Sequence, residues 1–243
     1  MRLEGVSETK CGGNPTFFMC DVQSAGVSAC VAIPPVPGFA LGDWAATARA
    51  MKGGARFDFA QPWLPQAEPD FTPGQVWLGV QGDDLVAYAV LDDEQPSNRA
   101  SRLNDATWVL GDALEFFFQA EGRPGYFEFH VTPENQRLQL FFPSREAFFE
   151  RKKHEHWAIS ENRFESVTRI NETRTAWEAV MRMKLALVLG GPRADGVRRF
   201  RFSFSRYDYQ PGRAKPVMSA TTPLSAPHFH TMGEWTWAEA GEA

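Results

Sequence analysis

Hydrophobic and polar side chains alternate with period two through most of the chain beyond residue 75. The cleanest run is Phe200, Phe202 and Phe204 set against Arg199, Arg201 and Ser203. Successive side chains on a strand point to opposite faces, so this run predicts a half-buried strand. Leu114, Phe116 and Phe118 alternate with Glu115, Phe117 and Gln119, and Phe127, Phe129 and Val131 alternate with Tyr126, Glu128 and His130. Glu128 and His130 should therefore point the same way. Trp177, Ala179, Met181 and Met183 alternate with Glu178, Val180, Arg182 and Lys184. Leu138, Leu140 and Phe142 continue the pattern, Phe164 to Ile170 predicts another strand, and Trp235 and Trp237 share a face of the last one. Val76–Val80 and Leu85–Leu91 flank the turn Gln81-Gly82-Asp83-Asp84 and read as a hairpin. Gly122-Arg123-Pro124-Gly125 is the turn between the strands at 113–119 and 126–131.

Helix is predicted only over Ala45–Met51, around Arg145 to Lys153 and at Leu185–Leu189. Leu64 to Gly74, with three prolines, reads as a surface loop. Many short strands between Gly/Pro turns predict an all-β fold, an antiparallel β-sandwich of immunoglobulin or jelly-roll type with a few short helices. The chain has 243 residues, and a sandwich uses such a length as one domain. Residues 1–37, ending in the turn-rich Pro34-Pro35-Val36-Pro37, read as a lead-in packed on a sandwich of residues 38–243.

Composition narrows the function. Aromatics make up 13% of the chain, enough to fill a core and leave rings for a binding surface. The net charge of -5 and the lack of a basic block give no reason to expect nucleic acid. The one basic run, Arg151-Lys152-Lys153, reads as a solvated loop. No apolar stretch approaches the roughly 18 residues of a membrane-spanning helix. The start, Met1-Arg2-Leu3-Glu4, lacks the order of a secretion signal. The expected location is cytoplasmic by default, or outside the cell if a leader was removed. Cys11, Cys20 and Cys30 match no zinc spacing; one disulfide with a free thiol, or three thiols, are the options.

The most informative block runs from Trp108 through Asp112 and Glu115 to Phe118. If its strand pairs with the next, Trp108, Glu115, Glu128 and His130 gather on one face. That chemistry suits a saccharide, since carboxylates accept strong hydrogen bonds from hydroxyls and a pyranose face stacks on a flat ring. The same pattern also describes a solvated face beside a core Trp.

The order of segments resembles the family 9 carbohydrate-binding modules and their DOMON-like relatives. The matching pieces are Gly42-Asp43-Trp44, Leu85 to Val90 with Asp92, Trp108 through Phe118, Tyr126 to Val131, Trp177 to Val180, Phe202 to Tyr207 and Met232 to Trp235. They extend over residues 38–238. The resemblance implies non-catalytic binding of a sugar or oligosaccharide end in the context of polysaccharide breakdown, with a glycoside hydrolase as a partner. In the family two aromatics sandwich a terminal sugar. The resemblance assigns the first aromatic to Trp108 and the strand acids to Asp112 and Glu115, with Glu128 beside them. It places a basic hydroxyl-binding residue at His130 and polar positions near Ser205 and Arg206. The second aromatic is missing from Pro223 to Phe229, where His228 or Phe229 would substitute.

The resemblance also implies structural calcium, with Asp83, Asp84, Asp92, Asp93, Glu94 and Asp105 as loop oxygens of a suitable kind. Two other functions remain open. A haem-binding electron-transfer domain would need ligands such as Met181 or Met183. A glycoside hydrolase would need two carboxylates at a set spacing, which Glu115 and Glu128 could supply. His154-Glu155-His156 and His228-Phe229-His230 place pairs of imidazoles together, yet the sequence supplies no third metal ligand. Arg206 has the parity of the buried phenylalanines and should point inward to an acid such as Glu178 or Glu115.

Overall fold

The computed structural model describes residues 30–150, 152–192 and 199–240. Two sheets face each other. The larger runs β1 (Cys30–Ile33), β12 (Thr236–Ala240), β10 (Arg199–Asp208), β5 (Ala113–Ala120), β6 (Tyr126–Val131) and β7 (Arg137–Phe142), with β11 (Val217–Ala220) also paired to β10. The smaller runs β2 (Ala55–Asp58), β3 (Gly74–Gln81), β4 (Asp84–Asp92), β9 (Ala176–Lys184) and β8 (Phe164–Ile170). Among the described strands only the β1–β12 pair is parallel. The expected all-β sandwich with a few short helices is the architecture found.

The period-two pattern sets the core. Phe116, Phe118, Phe129, Phe200, Phe202 and Phe204 leave one sheet and meet Leu78, Ala87, Trp177 and Met181 from the other. Phe116 and Phe204, on paired strands, stack with centroids 4.4 Å apart. The thioethers considered for haem, Met181 and Met183, are packed here and buried. Phe116→Ala should cost about 3–5 kcal/mol of stability, read from the shift of a urea unfolding curve.

Helix α1 (Trp44–Met51) begins where Asp43 Oδ1 accepts the Ala46 N–H at 2.9 Å. The helix expected around 145–153 is shorter, α3 (Arg145–Phe149), and the one at 185–189 is α4 (Leu185–Val188). The one-turn helix α2 (Thr107–Leu110) and the four-residue strands β1, β2 and β11 carry too few residues for a periodic signal. Trp235 is not on the last strand. It ends the 3-10 turn Met232–Glu234 and is buried, its Nε1–H donating to the Phe229 carbonyl at 2.9 Å. Trp237 lies in β12 beneath the guanidinium groups of Arg199 and Arg201. Cys30 is an exposed free thiol, whereas Cys11 and Cys20 lie outside the described residues.

At one end of the core Arg206 points inward, as its parity requires, but its partners are neither Glu178 nor Glu115. Glu178 pairs with Arg169 on the outside of the smaller sheet, and Glu115 is on the opposite face of its own sheet. The sheets instead bring Asp93 and Asp208 to Arg206, at 3.2 and 3.5 Å. Asp112 joins them, and carboxylate oxygens of the three acids lie within 4.8 Å of one another. Both oxygens of Asp112 accept backbone N–H groups, from Ser97 at 2.7 Å and Tyr209 at 2.6 Å.

Of the six loop acids considered for calcium, only Asp93 enters this cluster. Asp84 pairs with Lys184, and Asp105 accepts the Ser101 and Arg102 N–H groups. Arg206 already supplies the cation to Asp93 and Asp208. The set fits a guanidinium better than the cage of roughly six to eight oxygens that calcium takes.

Burial and the nearby Asp93 and Asp208 charges push the Asp112 carboxyl from 3.8 up to about 7. A carboxyl raised on folding stabilises the protein while protonated, and that contribution fades as pH climbs through the folded value. Stability in urea should therefore fall between pH 4 and about 7. Asp112→Asn should flatten that slope even if it lowers stability overall.

Candidate functional site

The odd-numbered side chains of β5 and β10, and the even-numbered ones of β6, leave the larger sheet on its other face. In a two-layer sandwich this face would be wet. Here β5 is buried along its whole length, because a second apolar layer covers it. That layer includes Phe229, Trp235 and Leu224, with Trp108, Phe148 and Trp157 packed against it at its edge. Between layer and sheet lies a cleft of ≈ 500 Å³.

The cleft floor comes from paired strands. Glu115 on β5 is opposite His130 on β6, and Phe117 is opposite Glu128. Glu115 and Glu128 are thus diagonal neighbours, and His130 lies between them. The His130 Nε2 is 3.0 Å from Glu115 Oε1 and 2.8 Å from Glu128 Oε1. Its Nδ1 is 2.7 Å from the Thr107 hydroxyl. His230 is held through Nδ1 by the Tyr126 hydroxyl at 2.8 Å, and its Nε2 is 3.6 Å from Glu128 Oε2. On this floor Glu115 Oε2 and Ser205 Oγ are buried and have no hydrogen-bond partner among the described residues. They belong to a cross-strand pair.

These acids do not share the charge equally. Burial, and then the charge of Glu128, raise the Glu115 carboxyl well above its ordinary value. Burial also works against charge on Glu128, but His230 and the hydrogen bond from His130 more than offset it, and this carboxyl lies below its ordinary value. Burial pushes His230 down to about 4, against the pull of Glu128. The floor thus holds two carboxyls pushed in opposite directions, Glu115 toward its protonated form and Glu128 toward its charged form, beside a His230 that is neutral at neutral pH.

Aromatic walls rise on either side. Trp108 sits on α2, half-buried, with its backbone carbonyl accepting the Tyr209 hydroxyl at 2.7 Å. Asn98 Nδ2 ties the ends of this turn together through the carbonyls of Thr107 and Asp112, at 2.9 and 3.0 Å. Gly111 links α2 to β5 at φ +149°, where a Cβ would stand 2.3 Å from the Ser97 carbonyl oxygen, so no other residue fits. The Trp108 ring meets His130 and His154 edge-on, at 6.0 and 5.2 Å between centroids. The other wall is made by α3 and by residues 152–157. Ser144 Oγ caps α3, Phe148 stacks on His230 at 3.6 Å between centroids, and Phe149 is 53% exposed. A 3-10 turn, His154–His156, delivers Trp157 with Lys152 Nζ 5.2 Å from its ring.

The structure therefore gathers Trp108, Glu115, Glu128, His228 and Phe229 on the cleft wall. His130 is fully buried beneath, touching both acids, and Ser205 is buried on the same face beside Glu115. Phe229 is 4% exposed, with most of its ring packed against Phe117, Tyr207 and Trp63. Asp112 and Arg206 lie on the far side of the sheet, in the cluster described above. Trp157, Phe148, Phe149, Lys152 and His230 also line the cleft. The sequence signal for the first four is the aromatic and basic density between 148 and 157, and for His230 the His228-Phe229-His230 pair, neither of which strand periodicity interprets.

No family model and no curated protein matches this sequence. Solved structures do match. A Bacteroides uniformis protein proposed to bind carbohydrate superimposes with a TM-score of 0.68 at 13% identity, covering 88% of this chain and all of the other. A family 9 carbohydrate-binding module from Caldicellulosiruptor kristjanssonii, in complex with cellotriose, gives 0.56 at 10% identity over 88% of this chain and 95% of its own. The same module with glucose gives 0.56 at 10% identity, over 88% and 97%. At such identities the likeness is one of fold: this chain has the β-sandwich fold that the family 9 carbohydrate-binding modules share.

Proposed function

We propose that the chain binds a saccharide in the cleft, as a non-catalytic module acting in polysaccharide breakdown alongside a glycoside hydrolase. The observation that carries this reading is the pairing of aromatic walls with a carboxylate floor. Trp108, Trp157 and the exposed Phe149 offer flat apolar surface, while Glu128 offers charged acceptors and Glu115 a second carboxyl group. A pyranose presents apolar C–H faces ringed by hydroxyls that both donate and accept, so it matches such a site on both counts. The cleft volume of ≈ 500 Å³ falls in the range of small-ligand pockets and suits a sugar or the end of a short oligosaccharide. The fold likeness to modules crystallised with cellotriose and glucose supports the same class of ligand.

Calorimetric titration with glucose, cellobiose and cellotriose, followed by a wider glycan panel, tests this. Truncating an anchoring ring costs about 2 kcal/mol or more, on the order of 30-fold in affinity. Trp108→Ala and Trp157→Ala should each weaken binding by that factor, with circular dichroism unchanged. A panel without any binder would sink the proposal.

A second reading, glycoside hydrolysis, draws on one observation. Burial pushes the Glu115 carboxyl above its ordinary value while His230 and His130 hold Glu128 below it, and carboxyls pushed apart in this way are how an acid and a base or nucleophile are divided. His130 engages an oxygen of each, which favours binding as the primary reading. Release of chromophore from aryl glycosides by the wild type, lost in Glu115→Gln, would establish hydrolysis instead.

A further inference from the structure

Two histidines and two glutamates on the cleft floor are oriented in a way that saccharide binding does not require. His130 and His230 are each fixed through Nδ1 by a hydroxyl, from Thr107 at 2.7 Å and Tyr126 at 2.8 Å. Each therefore presents Nε2 toward the same carboxylate: His130 to Glu128 Oε1 at 2.8 Å, His230 to Glu128 Oε2 at 3.6 Å. The first of these nitrogens is also 3.0 Å from Glu115 Oε1. One donor atom each from Glu115, Glu128 and His130 falls within 4.8 Å of the others, and all three residues are buried. Glu115 Oε2, also buried, has no partner among the described residues. Among the described residues the ion pairs of both glutamates are to histidines alone, so no lysine or arginine compensates the carboxylates.

We propose that Glu115, Glu128 and His130, with His230 as a fourth donor, form a binding site for one divalent transition-metal ion such as zinc. Imidazole nitrogen with carboxylate oxygen is a donor set that zinc accepts. Metal–ligand bonds of about 2.0–2.2 Å put tetrahedral donors roughly 3.3–3.6 Å apart. The His130–Glu115, His130–Glu128 and His230–Glu128 separations, 3.0, 2.8 and 3.6 Å, straddle that spacing, and His230, which stands outside the compact triad, would have to swing toward it. Histidine ligands usually have the second ring nitrogen held by a neighbour, which sets the tautomer. Thr107 and Tyr126 occupy that position here. A hydroxyl both donates and accepts, so Thr107 supports His130 with its proton on Nε2 facing Glu128, or on Nδ1 with Nε2 free for a metal. Glu115 and Glu128 both border the cleft, so a bound ion would have one side open to water. The inference stands independently of the sugar.

The test uses the whole chain, stripped with a chelator and then titrated with zinc chloride by calorimetry in sugar-free buffer. One ion per chain at micromolar affinity or tighter, with a raised unfolding temperature, is expected. Glu115→Gln, which keeps the side-chain shape, and His230→Gln, at a partly exposed position, should each weaken zinc at least tenfold. Thr107→Val should weaken it by about 10–100-fold, the usual effect of losing a residue that orients a ligand. His156→Ala, outside the cleft, should bind zinc like the wild type. If Glu115→Gln proves unfolded, His230→Gln decides. No zinc uptake by the folded wild type overturns the site. So does undiminished uptake by both the Glu115 and His230 variants, or uptake lost in His156→Ala.

Discussion

Side chains of β5, β6 and β10 are buried on both faces of the larger sheet, and the rest of the molecule is arranged around that constraint. The inward face meets the smaller sheet in a phenylalanine-rich core. The outward face, which a two-layer sandwich leaves to water, is roofed by loops and short helices. A strand covered on both sides cannot carry a polar residue cheaply, so polar residues there are driven to pair, with Ser205 Oγ and Glu115 Oε2 the exceptions on the outward face among the described residues. Glu115, Glu128 and His130 do so with one another, and Arg206, Asp93 and Asp208 do so on the inward side.

The two buried polar clusters solve this problem differently. On the inward side a guanidinium, permanently charged, sits among three aspartates, and protons take up part of the remaining negative charge. That cluster joins the end of β4 to the end of β10 and so ties the sheets together. On the outward side no permanent cation pairs with the acids among the described residues. Hydrogen-bonding contacts from the imidazole nitrogens take that role, and the cluster borders an open cleft. One arrangement reads as structural cement, the other as a site poised for something to enter.

Much of this was legible in the sequence because period two is a strong signal. Given that their strands pair, it put Glu115, Glu128 and His130 on one face, and it turned Arg206 inward; Ser205 was marked only by the family resemblance. It did not identify the partners of Arg206, because Asp93 and Asp208 lie at strand ends whose meeting depends on how the two sheets stack. Asp112 looked like a companion of Glu115 from three residues away, yet an odd separation along extended chain puts them on opposite sides. The roof was illegible for a different reason. Phe148, Trp157 and His230 arrive on a five-residue helix, a 3-10 turn and irregular chain, and no periodicity marks them as covering a sheet.

The backbone clamp at Gly111 bears on what the cleft tolerates. With the Ser97 carbonyl against its Cα, the chain between Trp108 and Glu115 has no slack. The Gly111 backbone thus fixes where α2 leaves the sheet, and with it the side of the cleft on which the indole stands. The cleft resembles a vice with one clamped jaw, faced across the gap by the rings of Phe148 and Trp157.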